Sequence, residues 1–294
     1  MANPVFNKSA VFGDPNAQRA GAQARPAGGA PAYGTAPQYG TAPQYGAAGA
    51  AGADAASLDA MYKAPSATTA DTRRLTYDDV IIKTGGLLAL LVVVGAATWV
   101  LAPELYVVGM IAGLVLGLVN AFKREPSPLL IMLYTVAQGM FLGGISQYYS
   151  SIVVNGQQLN GVVPSAIIAT VCTFAAALLL FRSGKVRVTP KFTKFLLIGM
   201  VGYLAFSLVN LVLLLTGVMD GWGMRSGGWG ILISLVAVGL ASASLIMDFD
   251  SIKRGVEGGV PARYAWSAAF GLLVTLIWLY LEFLRLFAIL QGRD

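Results

Sequence analysis

Three ionisable side chains stand where the surrounding sequence should exclude them: Asp248, Glu282 and Arg285. Each lies in a long apolar stretch, where a charge costs about 2.5–3.5 kcal/mol on insertion scales, so each is a candidate for function. Asp248 closes the run Ala243-Ser-Leu-Ile-Met247 and is read as a functional acid. Asp250 follows two positions later, about 200° further round a helix, so the two carboxylates cannot share one face. Lys253 and Arg254 stand three and four residues after Asp250, the spacing of solvated ion pairs on a helix surface. Glu282 lies in Leu279-Tyr-Leu-Glu-Phe-Leu-Arg285, with Arg285 close enough to pair with it. Two readings stay open for Glu282: an intrahelical ion pair that lets both groups insert, or a proton- or cation-binding carboxylate facing the interior.

Other chemistries are excluded by absence. There is no histidine, so a Ser-His-Asp triad, a His-based zinc site and a haem with an axial His cannot form. Cys172 is the only cysteine, too few for an intrachain disulfide or a thiolate cluster. A Gly-x-Gly-Asp setting for an intramembrane aspartyl protease is missing, and the last apolar run has no lysine for a retinal Schiff base. The sequence therefore reads as a non-enzyme with no resident cofactor, although a secondary transporter stays open.

The elements that must position these acids follow from composition. Of 294 residues, 56% are hydrophobic and 12% charged, against about 25% charged in a soluble domain. Mean hydropathy is +0.67. Residues 1–75 differ from the rest: they hold seven of the 13 prolines and a short repeat, Tyr33-Gly-Thr-Ala-Pro-Gln and Tyr39-Gly-Thr-Ala-Pro-Gln. Large apolar residues are too few there to offset chain entropy, so this segment reads as a disordered arm without a secretory signal.

From about residue 84 the chain is a series of apolar runs: 84–102, 105–122, 128–149, 163–181, 193–216, 228–249 and 264–290. A helix of about 20 apolar residues crosses a bilayer core. The fold class expected is all-α, a polytopic seven-helix transmembrane bundle over 76–294. Thr76 and Asp79 have the spacing of a capping box before the first run.

Basic residues fall on alternate sides. Arg73, Arg74 and Lys83 precede the first run; Lys123 and Arg124, then Arg182, Lys185, Arg187, Lys191 and Lys194, then Lys253, Arg254 and Arg263 occupy the even loops. The odd loops hold only Arg225. The positive-inside rule then puts the N-terminus in the cytoplasm and the C-terminus outside. The net charge of +6 is accounted for by topology and by anionic lipid, not by a nucleic-acid site.

Small residues mark packing faces: Gly109, Gly113 and Gly117; Gly139 and Gly143; and Gly239 with Ala241 to Ser244. Packing within the chain is the default reading, ahead of a dimer face. Interhelical hydrogen bonds are the default for Asn120, Gln138, Ser146, Gln147, Asn210, Ser242 and Ser244. Trp99, Trp222, Trp229, Tyr264 and Trp266 fall near run ends, as an aromatic belt requires. Trp278 and Tyr280 lie deeper and are expected to pack on other helices.

Ile246-Met-Asp-Phe-Asp-Ser-Ile-Lys-Arg254, followed by Trp278-Leu-Tyr-Leu-Glu-Phe-Leu-Arg-Leu-Phe-Ala-Ile289, resembles the Bax inhibitor-1 family. Thr76-Tyr-Asp-Asp-Val-Ile-Ile-Lys-Thr84 and Asn3-Pro-Val-Phe6 are similar to a bacterial branch with a long N-terminal arm. The resemblance covers about 76–294 and is most specific in the last third. It implies a seven-helix protein of the bacterial plasma membrane that leaks calcium in a pH-dependent way. It further implies that Asp248 and Glu282 share a proton and gate the pore, with Glu282 standing where the family usually has Asp. Asp250 and Arg285 would support them. Such a couple would also offer the oxygen ligands that Ca²⁺, as permeant ion, prefers.

Depth strains that expectation, because Glu282 lies 18 residues, roughly 27 Å of helix, beyond Tyr264. The acids meet only if the sixth helix runs on to about Arg254 and the seventh begins near Gly271. The alternative function is a membrane protein that binds and modulates a membrane protease or stress-response partner through its arm.

Overall fold

The computed structural model describes residues 73–292 apart from 155–156, 160, 184–187 and 220–222. The arm expected over 1–75 therefore lies, up to residue 72, outside the described residues, as do Lys185, Arg187 and Trp222. The helices are α1 (Tyr77–Leu101), α2 (Tyr106–Phe122), α3 (Pro128–Ser151), α4 (Val162–Arg182), α5 (Pro190–Leu215), α6 (Gly227–Glu257) and α7 (Ala265–Gln291). Short 3₁₀ turns at Pro103–Leu105, Gly223–Arg225 and Ala262–Tyr264 precede α2, α6 and α7. Two-residue strands, β1 (Val153–Val154) and β2 (Gln157–Gln158), pair antiparallel between α3 and α4.

Among the described residues, seven helices are long and apolar enough to cross a membrane, and each overlies one expected run. The boundaries differ by more than three residues at two places, each for a local reason. α1 begins at Tyr77 rather than 84, because the capping box forms: the Asp79 amide donates to Thr76 Oγ1 at 3.1 Å and the Thr76 amide to Asp79 Oδ2 at 3.2 Å. α6 runs to Glu257, past the expected end at 249. Its charged last turns continue the helix on ion pairs between Asp250 and Arg254 and between Lys253 and Glu257, all at i,i+4.

α7 is the most buried of the seven and packs against α6, α4, α1 and α3. α3 packs against both α1 and α2. Glycine sets those approaches. A Cβ added at Gly143 would lie 2.2 Å from the Gly95 carbonyl oxygen of α1, and one at Gly109 would lie 2.6 Å from the Ala137 carbonyl of α3. The small-residue faces of α2 and α3 are thus used within the chain, whereas Gly239 faces open space.

The polar groups divide. Ser146 and the Tyr280 hydroxyl bond between α3 and α7 at 2.6 Å, and Asn120 Nδ2 reaches the Leu130 carbonyl at 3.2 Å. Ser242, expected to bond between helices, donates instead to the Val238 carbonyl of its own helix. Trp278 packs on Tyr203 of α5, with ring centroids 5.6 Å apart, as its depth suggested.

The segment entering α1 is fastened to the α6–α7 loop. Arg74 pairs with Pro261 as an isolated antiparallel bridge, the Leu75 amide donates to the Val260 carbonyl at 2.7 Å, and the Leu75 side chain is fully buried.

Candidate functional site

Thr275 and Glu282 stand seven residues apart on α7, two helical turns less about 20°, so they share one face roughly 10 Å apart along the axis. That face organises both acids. Asp248, on α6, is 2% exposed, and Thr275 Oγ1 donates to its Oδ2 at 2.7 Å. The same hydroxyl lies 3.2 Å from the Gly271 carbonyl, which holds it in place.

Glu282 is 3% exposed and is surrounded by donors. Arg285 Nη1 reaches both of its oxygens, at 2.9 and 2.8 Å. The Tyr203 hydroxyl of α5 donates to Oε1, and Trp278 Nε1 lies 3.3 Å from the same atom. Arg225 Nη1 lies 3.9 Å from Oε1. Tyr149 of α3 comes alongside Arg285.

The two carboxylates expected to act as a couple are held by different side chains, Asp248 by Thr275 and Glu282 by Arg285, Tyr203 and Trp278. Each has its own partners, and no hydrogen bond joins them among the described residues. Of the two conditions for their meeting, one is fulfilled: α6 passes Arg254, but α7 begins at Ala265 instead of near Gly271. The intrahelical pair of Glu282 with Arg285 is present, as is the pair of Asp250 with Arg254 near the end of α6. Among the described residues no three Cys, Asp or Glu side chains gather as a metal site.

Arg225 corrects the loop tally. Counted in the sequence as the one basic residue of an odd loop, it is folded inward and only 7% exposed. Its turn is shaped by glycine. Gly223 has φ +61°, in the left-handed region that favours glycine. A Cβ at Gly230 would fall 1.9 Å from the Arg225 carbonyl oxygen. Asn210 of α5 closes the turn by accepting from the Met224 amide at 2.7 Å. The guanidinium lies over the rings of Tyr203 and Phe206, at 5.0 and 5.4 Å, and Nη2 donates to Ser207 Oγ at 2.6 Å. Its Nε is buried without a hydrogen-bond partner.

Tyr203, Thr275 and the inward role of Arg225 were not found from the sequence. Tyr203 and Thr275 look like ordinary residues of apolar runs, and their partners lie 79 and 27 positions away. Arg225 did leave a signal: a lone base in an otherwise base-free loop, close to Gly223 and Gly227.

Thr275→Val should remove the hydroxyl that satisfies Asp248. The expected loss is about 1–3 kcal/mol, the cost of leaving a buried acceptor unpaired. Thermal unfolding in detergent checks it, with Thr275→Ser expected to keep the bond and most of the stability.

The comparisons agree with this architecture. The family model described as "Bax inhibitor 1 like" matches residues 3–292, so the match begins within the arm, earlier than the 76–294 expected from motifs. No curated protein matches the chain. With seven membrane-capable helices and a match over nearly its whole length, the chain belongs to the Bax inhibitor 1 like family and is a multi-pass integral membrane protein.

Proposed function

We infer that the protein is a pH-sensitive leak for calcium or a related cation, in which Asp248 and Glu282 are the gating and ion-binding carboxylates. The observation that carries this reading is the burial of both acids inside the apolar bundle, at 2% and 3% exposure. Intramembrane acids are expensive, and ion and proton pathways are the common reason to keep them. Family membership favours the same reading.

The geometry modifies the mechanism. Thr275, which holds Asp248, and Glu282 lie roughly 10 Å apart along α7, and in this reading each carboxylate handles the ion or proton at its own level. In this arrangement Arg285 and Tyr203 occupy the oxygens of Glu282, so the pathway is closed there. Calcium is cargo in this reading, not a resident cofactor. The alternation of basic loops favours a cytoplasmic N-terminus and an outside C-terminus, and the resemblance of Thr76–Thr84 and Asn3–Phe6 to a bacterial branch favours the bacterial plasma membrane. Removing Arg225 from the loop count leaves the alternation cleaner.

The test is calcium flux in liposomes loaded with an indicator dye, across a pH series. The full chain should conduct, and Asp248→Asn and Glu282→Gln should each fall to near the level of protein-free vesicles. Flux unchanged in both variants would overturn the reading.

A further inference from the structure

α5 is the least buried of the seven membrane-capable helices among the described residues. Of its 26 residues only Leu196 and Asn210 are fully buried, and its main packing is against α6 and the Gly223–Arg225 turn. Its inward stripe is Phe192, Leu196, Met200, Tyr203, Ser207 and Asn210, spaced three and four apart along one face. The stripe changes character halfway. Phe192, Leu196 and Met200 pack with Leu240 and Met247 of α6. Beyond them, apart from the Tyr203 ring on Trp278, the attachments are polar: Tyr203 to Glu282, Ser207 to Arg225, and Asn210 to the Met224 amide. Lipid replaces apolar contacts without penalty, so polar contacts of this kind set whether that half stays docked.

Two glycines mark the change. Gly199 lets α5 approach Leu240, where a Cβ would fall 2.7 Å from Cδ2. Gly202 has nothing within 4 Å of an added Cβ, so packing gives no reason for it, while it weakens the helix relative to alanine.

We propose that α5 is a hinged leaf, clamped at its N-terminal half and pinned at its C-terminal half by Tyr203, Ser207 and Asn210, whose lifting uncovers Glu282. The consequence for conduction rests on the function inferred above; the motion itself does not. Glu282 and Arg225 are covered from the α5 side by these pins, with the Tyr203 hydroxyl donating to Glu282 and Ser207 accepting from Arg225. The hinge lies at Gly199 to Gly202, where the apolar clamp ends.

The motion is read by spin-label distances in the full chain in nanodiscs, between native Cys172, exposed on α4, and Leu211→Cys, exposed on α5. The otherwise unaltered protein should show a docked distance and a minor longer one. Tyr203→Phe combined with Asn210→Ala should raise the longer population about three- to fivefold, the scale of losing modest interhelical bonds. Gly202→Ala, which disturbs no contact, should lower it. One distance unchanged in all three overturns the proposal. Flux in matched vesicles separates the two readings. Distances that respond while flux is absent sink the leak alone; flux through a protein whose α5 stays fixed sinks the leaf.

Discussion

Replacing Arg285 with methionine is expected to cost about 3–5 kcal/mol of stability, the range for breaking a buried ion pair by removing one member. Arg285 is the strongest partner of Glu282, meeting both carboxylate oxygens. The pair lies deep in α7, with Glu282 side chain 4% and Arg285 side chain 20% exposed, so solvent screens little of it. The loss comes mainly from the stranded carboxylate, not from the worth of the pair itself. Arg285→Met combined with Glu282→Leu should therefore recover much of the deficit. Tyr203, Trp278 and Arg225 soften the single substitution without replacing a bidentate guanidinium. Thermal unfolding of all three variants in nanodiscs checks this. Lys253→Met is the control, because the Lys253–Glu257 pair is half exposed or more and worth less than about 1 kcal/mol. A loss for Arg285→Met no larger than that of Lys253→Met would contradict the argument.

Alanine at Gly143 or Gly144 is expected to cost about 3 kcal/mol, the upper part of the usual range for overpacking. In both cases the obstacle is backbone. The new Cβ would sit 2.2 Å from the Gly95 carbonyl oxygen at one position and 2.2 Å from the Pro103 carbonyl oxygen at the other. A side chain could rotate away, but a helix carbonyl moves only if α1 or the turn before α2 moves with it. Gly85→Ala is the contrast: nothing lies within 4 Å, so the substitution should be neutral or stabilising by up to about 1 kcal/mol. Yield and melting temperature of the purified variants separate the cases. Equal behaviour of Gly143→Ala and Gly85→Ala would mean that α1 and α3 do not approach as closely as described.

Hydropathy made the seven helices legible because a membrane-crossing helix declares itself locally, in about 20 consecutive residues. The ends were less legible where charges entered. Asp250, Lys253 and Arg254 look like a loop by composition, yet i,i+4 pairing carries α6 through them to Glu257. At the site, Asp248, Glu282 and Arg285 were visible because an ionisable group in an apolar run is conspicuous. What they touch was not. Thr275 and Tyr203 become partners only through helix register, which no local pattern encodes. Arg225 misled for a related reason: a base between two apolar runs counts as a loop charge until Gly223 and Asn210 turn it inward. The partners of the expected proton couple were hidden on the same ground, since two motifs on adjacent helices fix which residues are present but not that Asp248 meets Thr275 while Glu282 meets Arg285 and Tyr203.

The fastening of Leu75 to Val260 has a practical corollary for shortening the protein. A trimmed chain that starts at Arg74 or earlier keeps the tether on the final hairpin, whereas one starting at Thr76 retains the cap of α1 yet leaves the Val260 carbonyl bare and an apolar slot vacant. Among the described residues, the point to preserve in any trimming is therefore a crosswise stitch to the loop between the last two helices, two residues ahead of the point where the first helix begins.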